Sequence, residues 1–286
     1  MHSQPLQTEA IPDLTFVTPV YIEKVRGKLE HQGSAVLIRS TESYWLVTAA
    51  HVAAVKDHET IWLPNAQGGF FRLIGYPVVS GPVSPDESWK DQADLFCVAL
   101  NDVEAGKLSS TGVGFLPLHP DTVDLAGAYH GDSVGVAWGF PDPSVTIEQN
   151  HSTVAPTYFH DLIFARPERL RRLGFDPEQN FALHKPRKFS RDGVKQHEFE
   201  LRGLSGGAVL RSDFDGPRLV GIATEDYPAS SLMICSRIGH LFASVAHHLK
   251  SGAPILKLMT MRRDHPTFTT VEHAVALSGA DKNRVA

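Results

Sequence analysis

Short runs rich in Val, Ile, Leu, Phe and Tyr, separated by turn residues, recur along most of the chain and predict strands. The first set covers 16–22, 34–39, 44–48, 60–63, 70–79 and 95–100. A second set follows the Gly- and Pro-containing stretch 112–120, at 133–140, 152–159, 198–201, 208–210, 218–224 and 231–235. Six strands in each set predict an all-β chain of two six-stranded antiparallel barrels, because closure removes exposed sheet edges. Helical spacing is convincing once, over 236–250. There Ile238, Leu241, Phe242, Val245 and Leu249 recur at intervals of three and four, behind Ser236 as a candidate N-cap. The expected layout is an N-terminal barrel over 15–118, a C-terminal barrel over 119–250 that includes this helix, and an arm or tail over 251–286.

Composition narrows the class without naming the chemistry. The 286 residues are 42% hydrophobic, which is too apolar for a disordered chain. No stretch approaches the length of apolar sequence that a membrane span needs, so no membrane partner is expected. A net charge of −5 excludes a globally basic nucleic-acid binder. Cys97 and Cys235 are the only cysteines, each inside an apolar run, and they read as core residues, not a disulfide framework. The start of the chain shows no cationic segment leading into an apolar one, so a cytoplasmic protein is expected.

Three local patterns carry candidate chemistry. In Leu46-Val47-Thr48-Ala49-Ala50-His51 an apolar strand ends in two small residues and then presents an imidazole, the side chain best suited to proton transfer near neutral pH. In Asp94-Leu95-Phe96-Cys97-Val98 an acid stands directly ahead of an apolar strand, where a carboxylate needs a donor that His51 can supply. Taken singly, a buried hydrogen-bonded histidine and a turn-capping aspartate are the commoner states of such residues. In Arg202-Gly203-Leu204-Ser205-Gly206-Gly207, glycines around a serine leave a backbone that can turn the amides of Gly203 and Ser205 toward a developing oxyanion.

Together these blocks resemble the trypsin-like (chymotrypsin-fold) serine peptidases, in particular their bacterial and intracellular branch, in the order His, Asp, Ser and over residues 15 to 250. The resemblance implies Ser205 as nucleophile, His51 as general base, Asp94 as its orienting acid, and the amides of Gly203 and Ser205 as the oxyanion hole. It implies an extended protein or peptide substrate paired along Ile222, Ala223, Thr224 and Glu225, with Phe199 at the primary pocket, and neither cofactor nor metal. Secreted members place an aspartate just before the nucleophile, where a freshly cut N-terminus pairs with it to order the oxyanion hole. Here that position is Leu204, so control by a regulatory partner or ligand is expected in place of N-terminal cleavage. Phe199 does not support trypsin-type selection of Arg or Lys; Glu198, Glu200, Glu225 and Asp226 leave attraction of a basic residue open.

Residues 160–196 read as an insertion with partial helix near 167–173, carrying nine basic against five acidic residues. A lid, a partner dock and a nucleic-acid contact rank behind a solvated insertion. His247 and His248 point to different sides of a helix and lack zinc-site spacing. The competing functional class is a catalytically weak peptide-binding or scaffold module on the same fold; esterase or acyl-transfer action is a third.

Overall fold

The N-terminal half begins with two long strands, β1 (Val17–Val25) and β2 (Lys28–Arg39), paired antiparallel from Val17↔Val36 to Val25↔Lys28. The computed structural model describes residues 15–25, 28–40, 43–53, 61–74, 76–80, 93–124, 134–142, 145–148, 151–154, 156–185, 189–191, 194–196, 202–213 and 216–239. β2 hairpins into β3 (Tyr44–Thr48). The turn is closed by Ser40 and Ser43, whose hydroxyls lie 2.7 Å apart. A single helical turn, α1 (Ala50–Ala53), follows β3 directly. Next come β4 (Ile61–Pro64), β5 (Phe70–Arg72), β6 (Tyr76–Ser80), β7 (Leu95–Leu100), helix α2 (Asp102–Ser109) and the short β8 (Leu116–Pro117).

These strands form one sheet in the order β5-β4-β1-β2-β3-β7-β6, with β8 added parallel to β2. Among the described residues no pairing joins β5 to β6, and the described part of this half is a half-barrel sheet of eight strands where six were expected. Helix α2 was not expected either. A capping box holds it: Asn101 Oδ1 accepts from Glu104 N at 2.9 Å and Glu104 Oε2 accepts from Asn101 N at 3.1 Å.

The second half contains β9 (Val134–Gly139), β10 (Val145–Glu148), β11 (His151–Val154), β12 (Thr157–Phe164), α3 (Pro167–Arg172) and β13 (Asn180–His184). It continues with β14 (Phe189–Arg191), β15 (Val194–Gln196), β16 (Ala208–Asp213), β17 (Gly216–Tyr227) and β18 (Leu232–Arg237). Six of these close a barrel in the order β12-β13-β18-β17-β16-β9, while β10-β11 and β14-β15 are separate hairpins.

Two expectations are corrected here. The stretch read as an insertion supplies the end of β12 and all of β13, so much of it is barrel wall. Phe181, Ala182 and Leu183 make too short an apolar run to stand out among charged neighbours, yet β12 and β18 pair with β13 on both sides. Ser236 is not a helix N-cap: β18 extends through it, because it pairs with Asn180 on one side and Ile222 on the other. Residues 240–250, the strand expected over 198–201, and Phe199 lie outside the described residues.

Both faces of the central strands are buried, which explains why their sequences read as nearly continuous apolar runs. Ala35, Leu37, Leu46, Phe96 and Val98 face the core of the first sheet. Their neighbours Val36, Ile38, Val47, Leu95 and Cys97 face Trp138, Leu210 and Ile222 of the barrel in a core shared by the two halves. The candidate site residues stand at the ends of strands that bound this shared core.

Candidate active site

β3 ends at Thr48, whose hydroxyl donates to the Ser34 carbonyl at 2.6 Å, and α1 then presents His51. Asp94 stands one residue before β7 with its side chain 8% exposed. Its Oδ1 accepts from the His51 backbone N–H at 3.1 Å, and its Oδ2 lies 2.6 Å from His51 Nδ1. Facing a carboxylate oxygen, Nδ1 is the donor, which leaves Nε2 as the proton acceptor. The aspartate is in turn held from the other half: its N–H donates to Ser236 Oγ at 2.8 Å, and that hydroxyl donates to Asn180 Oδ1 at 3.3 Å. Burial alone would lower the His51 pKa. The hydrogen bond and charge of Asp94, with the charge of Glu225, outweigh it and raise the pKa above the ordinary value.

The serine lies in the turn that leads into β16. Gly203 and Gly206 have φ of 84° and 86°, the left-handed region that favours glycine. The loop's carbonyls are tied down: Arg202 O accepts from Asp142 N at 2.8 Å, Ser205 O from Ser34 N at 2.7 Å and Leu204 O from Gly207 N at 2.8 Å. Gly203 O accepts from Ser34 Oγ at 2.9 Å. The N–H groups of Gly203 and Ser205 have no acceptor among the described residues, which leaves two donors for an anionic oxygen. Leu204 is buried in the barrel core.

At Gly206 a β-carbon would overlap the Ser34 carbonyl oxygen and Thr48 Oγ1, whereas at Gly112 (φ 85°) nothing lies within 4 Å. Gly206→Ala combines backbone strain with overpacking and is expected to lower stability by roughly 3 kcal/mol. Gly112→Ala incurs only the backbone term, about 1 kcal/mol. Urea titration of the two variants beside the parent checks the contrast; equal losses would show that the contact at Gly206 is relieved cheaply.

Ser205 Oγ donates to the Thr224 carbonyl at 3.1 Å, and no hydrogen bond joins it to His51. On β17, Ile222 pairs with Ala208 of β16 and Ser236 of β18, and its side chain enters the shared core. Ala223 is occupied by Gly206 N at 2.7 Å and Gly207 O at 2.9 Å. Of the four residues expected to line a substrate, Ile222 and Ala223 therefore serve the barrel. Thr224, the extra residue of a register shift between Ala223 and Glu225, stands at the serine, and Glu225 is exposed with its charge acting on His51.

Sequence reasoning missed a second histidine–carboxylate pair beside this loop. His31 Nδ1 lies 2.8 Å from Asp142 Oδ1, and Arg202 Nε lies 2.8 Å from Asp142 Oδ2. The only signal was the Gly139-Phe140-Pro141 turn that precedes Asp142. Among the described residues no group of three or more His, Cys, Asp or Glu could hold a metal ion. Cys97 and Cys235 are free and buried. No helix among the described residues is long and apolar enough to cross a membrane.

A half-barrel N-terminal β sheet and a closed six-stranded barrel, sharing one core, define a chymotrypsin-like fold. Solved structures of similar fold include a mutant of human heparin binding protein, with 12% identity over 85% of this chain and 94% of that one and a TM-score of 0.53. At that identity the likeness concerns fold alone. No family model matches the chain, and no curated protein matches it in sequence.

Proposed function

We propose that the protein is a serine endopeptidase of the bacterial and intracellular trypsin-like kind, acting on protein substrates in the cytoplasm. The observation that carries this reading is the His51–Asp94 pair, held at both carboxylate oxygens, beside a serine loop whose Gly203 and Ser205 amides are unoccupied. Ser205 Oγ attacks the scissile carbonyl carbon and its proton passes to His51 Nε2. The oxyanion forms against the two amides. Collapse of the tetrahedral intermediate breaks the C–N bond, with the proton on His51 going to the leaving amine. Water then repeats the sequence on the acyl-enzyme, releasing the acid and restoring the serine hydroxyl.

In the resting arrangement Ser205 must turn from the Thr224 carbonyl toward His51. An extended peptide that donates its own N–H to that carbonyl would displace the hydroxyl and release it for attack. Leu204 offers no partner for a new N-terminal ammonium, so control through a partner protein or ligand fits better than activation by cleavage.

A second reading, a peptide-binding module with little turnover, is favoured by the same Ser205–Thr224 bond, which leaves the nucleophile disengaged from its base. Labelling with a fluorophosphonate separates the two. The peptidase reading expects one equivalent of label on Ser205, with cell extract added if a partner is required. An unlabelled protein under both conditions favours the binding module.

A pH profile adds an independent check. His51 must be neutral to accept the serine proton, and its pKa is raised above the ordinary 6.5. The acid limb of kcat/KM is therefore expected above 6.5. The same shift implies that the His51–Asp94 pair stabilises the fold fully below 6.5 and that this stability is lost as pH rises through the folded value.

A further inference from the structure

Nothing in the activation chemistry of secreted peptidases is open to this chain at Leu204, so something else must order its oxyanion loop. We infer that His31 and Asp142 are positioning residues that staple the loop 202–205 across the two halves of the molecule and hold the Gly203 amide ready for the oxyanion. The inference rests on the peptidase reading for its catalytic consequence, but the staple itself is a structural feature that can be tested separately.

The geometry builds from β2. The β1–β2 register passes from Val20↔Gly33 to Tyr21↔His31, so Gln32 is an extra residue, and such a bulge re-aims the side chains next to it. His31 is thereby turned out of the first sheet toward Asp142, 111 positions along the chain. Its side chain is 7% exposed. It also packs edge-on against Tyr21 with ring centroids 5.6 Å apart. Its Nδ1 lies 2.8 Å from Asp142 Oδ1 and its Nε2 lies 2.8 Å from the Gly33 carbonyl. Burial lowers the His31 pKa more than Asp142 and the Gly33 carbonyl raise it; a neutral ring donates to only one of these two acceptors, and the bond from Nδ1–H to the carboxylate is the stronger, with Nε2 then facing the Gly33 carbonyl without a proton.

Asp142 passes this constraint to the loop in two ways. Its backbone N–H donates to Arg202 O at 2.8 Å, and its Oδ2 accepts from Arg202 Nε at 2.8 Å. Gly203 then lies flat on the pair: a β-carbon there would stand 2.6 Å from Asp142 Oδ1 and 2.8 Å from His31 Cε1. From the other side Ser34 completes the hold, because its hydroxyl accepts from Phe140 N at 2.8 Å and donates to Gly203 O at 2.9 Å. With the carbonyl of Gly203 and that of the residue before it both bound, the peptide planes on either side of Gly203 cannot turn freely, and the Gly203 N–H keeps its direction. The Arg202 guanidinium is mostly exposed, at 82%, so the aspartate–histidine contact and not the arginine is the buried part of the staple.

The test compares Asp142→Ala and the conservative Asp142→Asn with the parent protein, and uses Asp121→Asn as control, since the His119–Asp121 pair is exposed and remote in sequence. Amide exchange of Gly206, Gly207 and Ser34, whose N–H groups are hydrogen-bonded within or to this loop, is expected to quicken at least about tenfold in Asp142→Ala and less in Asp142→Asn. In parallel, kcat is expected to fall about ten- to a hundredfold with KM little changed, because the lost donor alignment matters in the transition state and not in substrate binding. Affinity for a peptide boronic acid, which places an anionic oxygen in the same position, should fall with kcat. Unchanged exchange in Asp142→Ala overturns the staple whatever the kinetics. Faster exchange with kcat and boronate affinity unchanged overturns its role in positioning the oxyanion donor. If the parent is inactive the peptidase reading fails, and the exchange measurement still decides the staple.

Discussion

Ser205→Ala is expected to abolish fluorophosphonate labelling and to lower kcat about 10⁶-fold, the scale reached when the nucleophile of such a unit is removed. The residual rate, roughly 10³ above that in water, would come from the Gly203 and Ser205 amides and from substrate binding. Stability should hardly move. The hydroxyl makes one hydrogen bond, to the Thr224 carbonyl at 3.1 Å, and its loss is worth about 1 kcal/mol. The loop's own anchors are backbone bonds of Ser34, Asp142, Gly206 and Gly207, none of which involves the serine side chain. Coincident melts with loss of cleavage and label would assign the chemistry to this atom. Cleavage retained by purified Ser205→Ala would remove Ser205 from the mechanism, and with it the reading built on the loop.

The residues that announce this site in the sequence do so because each sits where a strand stops. His51 follows the small pair Ala49-Ala50 after β3, Asp94 precedes β7, and Ser205 lies between glycines ahead of β16. Those local contrasts survive without any knowledge of the fold. What the sequence hid is everything that reaches across the two halves. Asn180 and Ser236, behind Asp94, belong to strands of the barrel, and each reads by itself as an ordinary polar residue near a turn or a cap. His31 looks like one more scattered histidine until the bulge at Gln32 turns it toward Asp142. No periodicity encodes a contact 111 or 142 positions away. β13 stayed hidden for a related reason: its strand signal is weak, and its existence depends on two neighbours distant in the chain. Helix α2 was legible in principle from Asn101 and Glu104, but only Ala105 and Leu108 are buried apolar residues on it, too few for periodicity to register.

These hidden contacts share a direction. Asp94 is tied to Ser236, Gly203 to Ser34, Ser205 to Ser34, and Asp142 to His31, so the aspartate behind His51 and the serine loop are each fixed from the opposite half of the molecule. A site built this way is as rigid as the core shared by the two halves, and a ligand or partner that shifted one half against the other would act on base and oxyanion loop together. That gives partner control a physical route that does not require a cleaved N-terminus.

Asp94→Asn is the second change with a large expected effect, a fall in kcat of about 10⁴-fold with KM nearly preserved. Both carboxylate oxygens are in use: Oδ1 takes the His51 backbone N–H at 3.1 Å and Oδ2 faces Nδ1 at 2.6 Å. An asparagine can keep the first bond through its carbonyl oxygen, which turns its NH₂ group toward Nδ1. Two donors cannot share that contact, so the imidazole moves its proton to Nε2, the nitrogen that must accept from Ser205. The charge that raised the His51 pKa is lost at the same time, and burial, which pulls the other way, is left to dominate. The acid limb of kcat/KM should therefore move to lower pH as the plateau drops. Ser236→Ala, one step further out, should produce a smaller version of both changes, because it loosens Asp94 without altering its charge. Profiles of the parent and the two variants, measured beside melts, read this directly. A plateau within tenfold of the parent in Asp94→Asn would mean that His51 does not depend on this carboxylate for its tautomer.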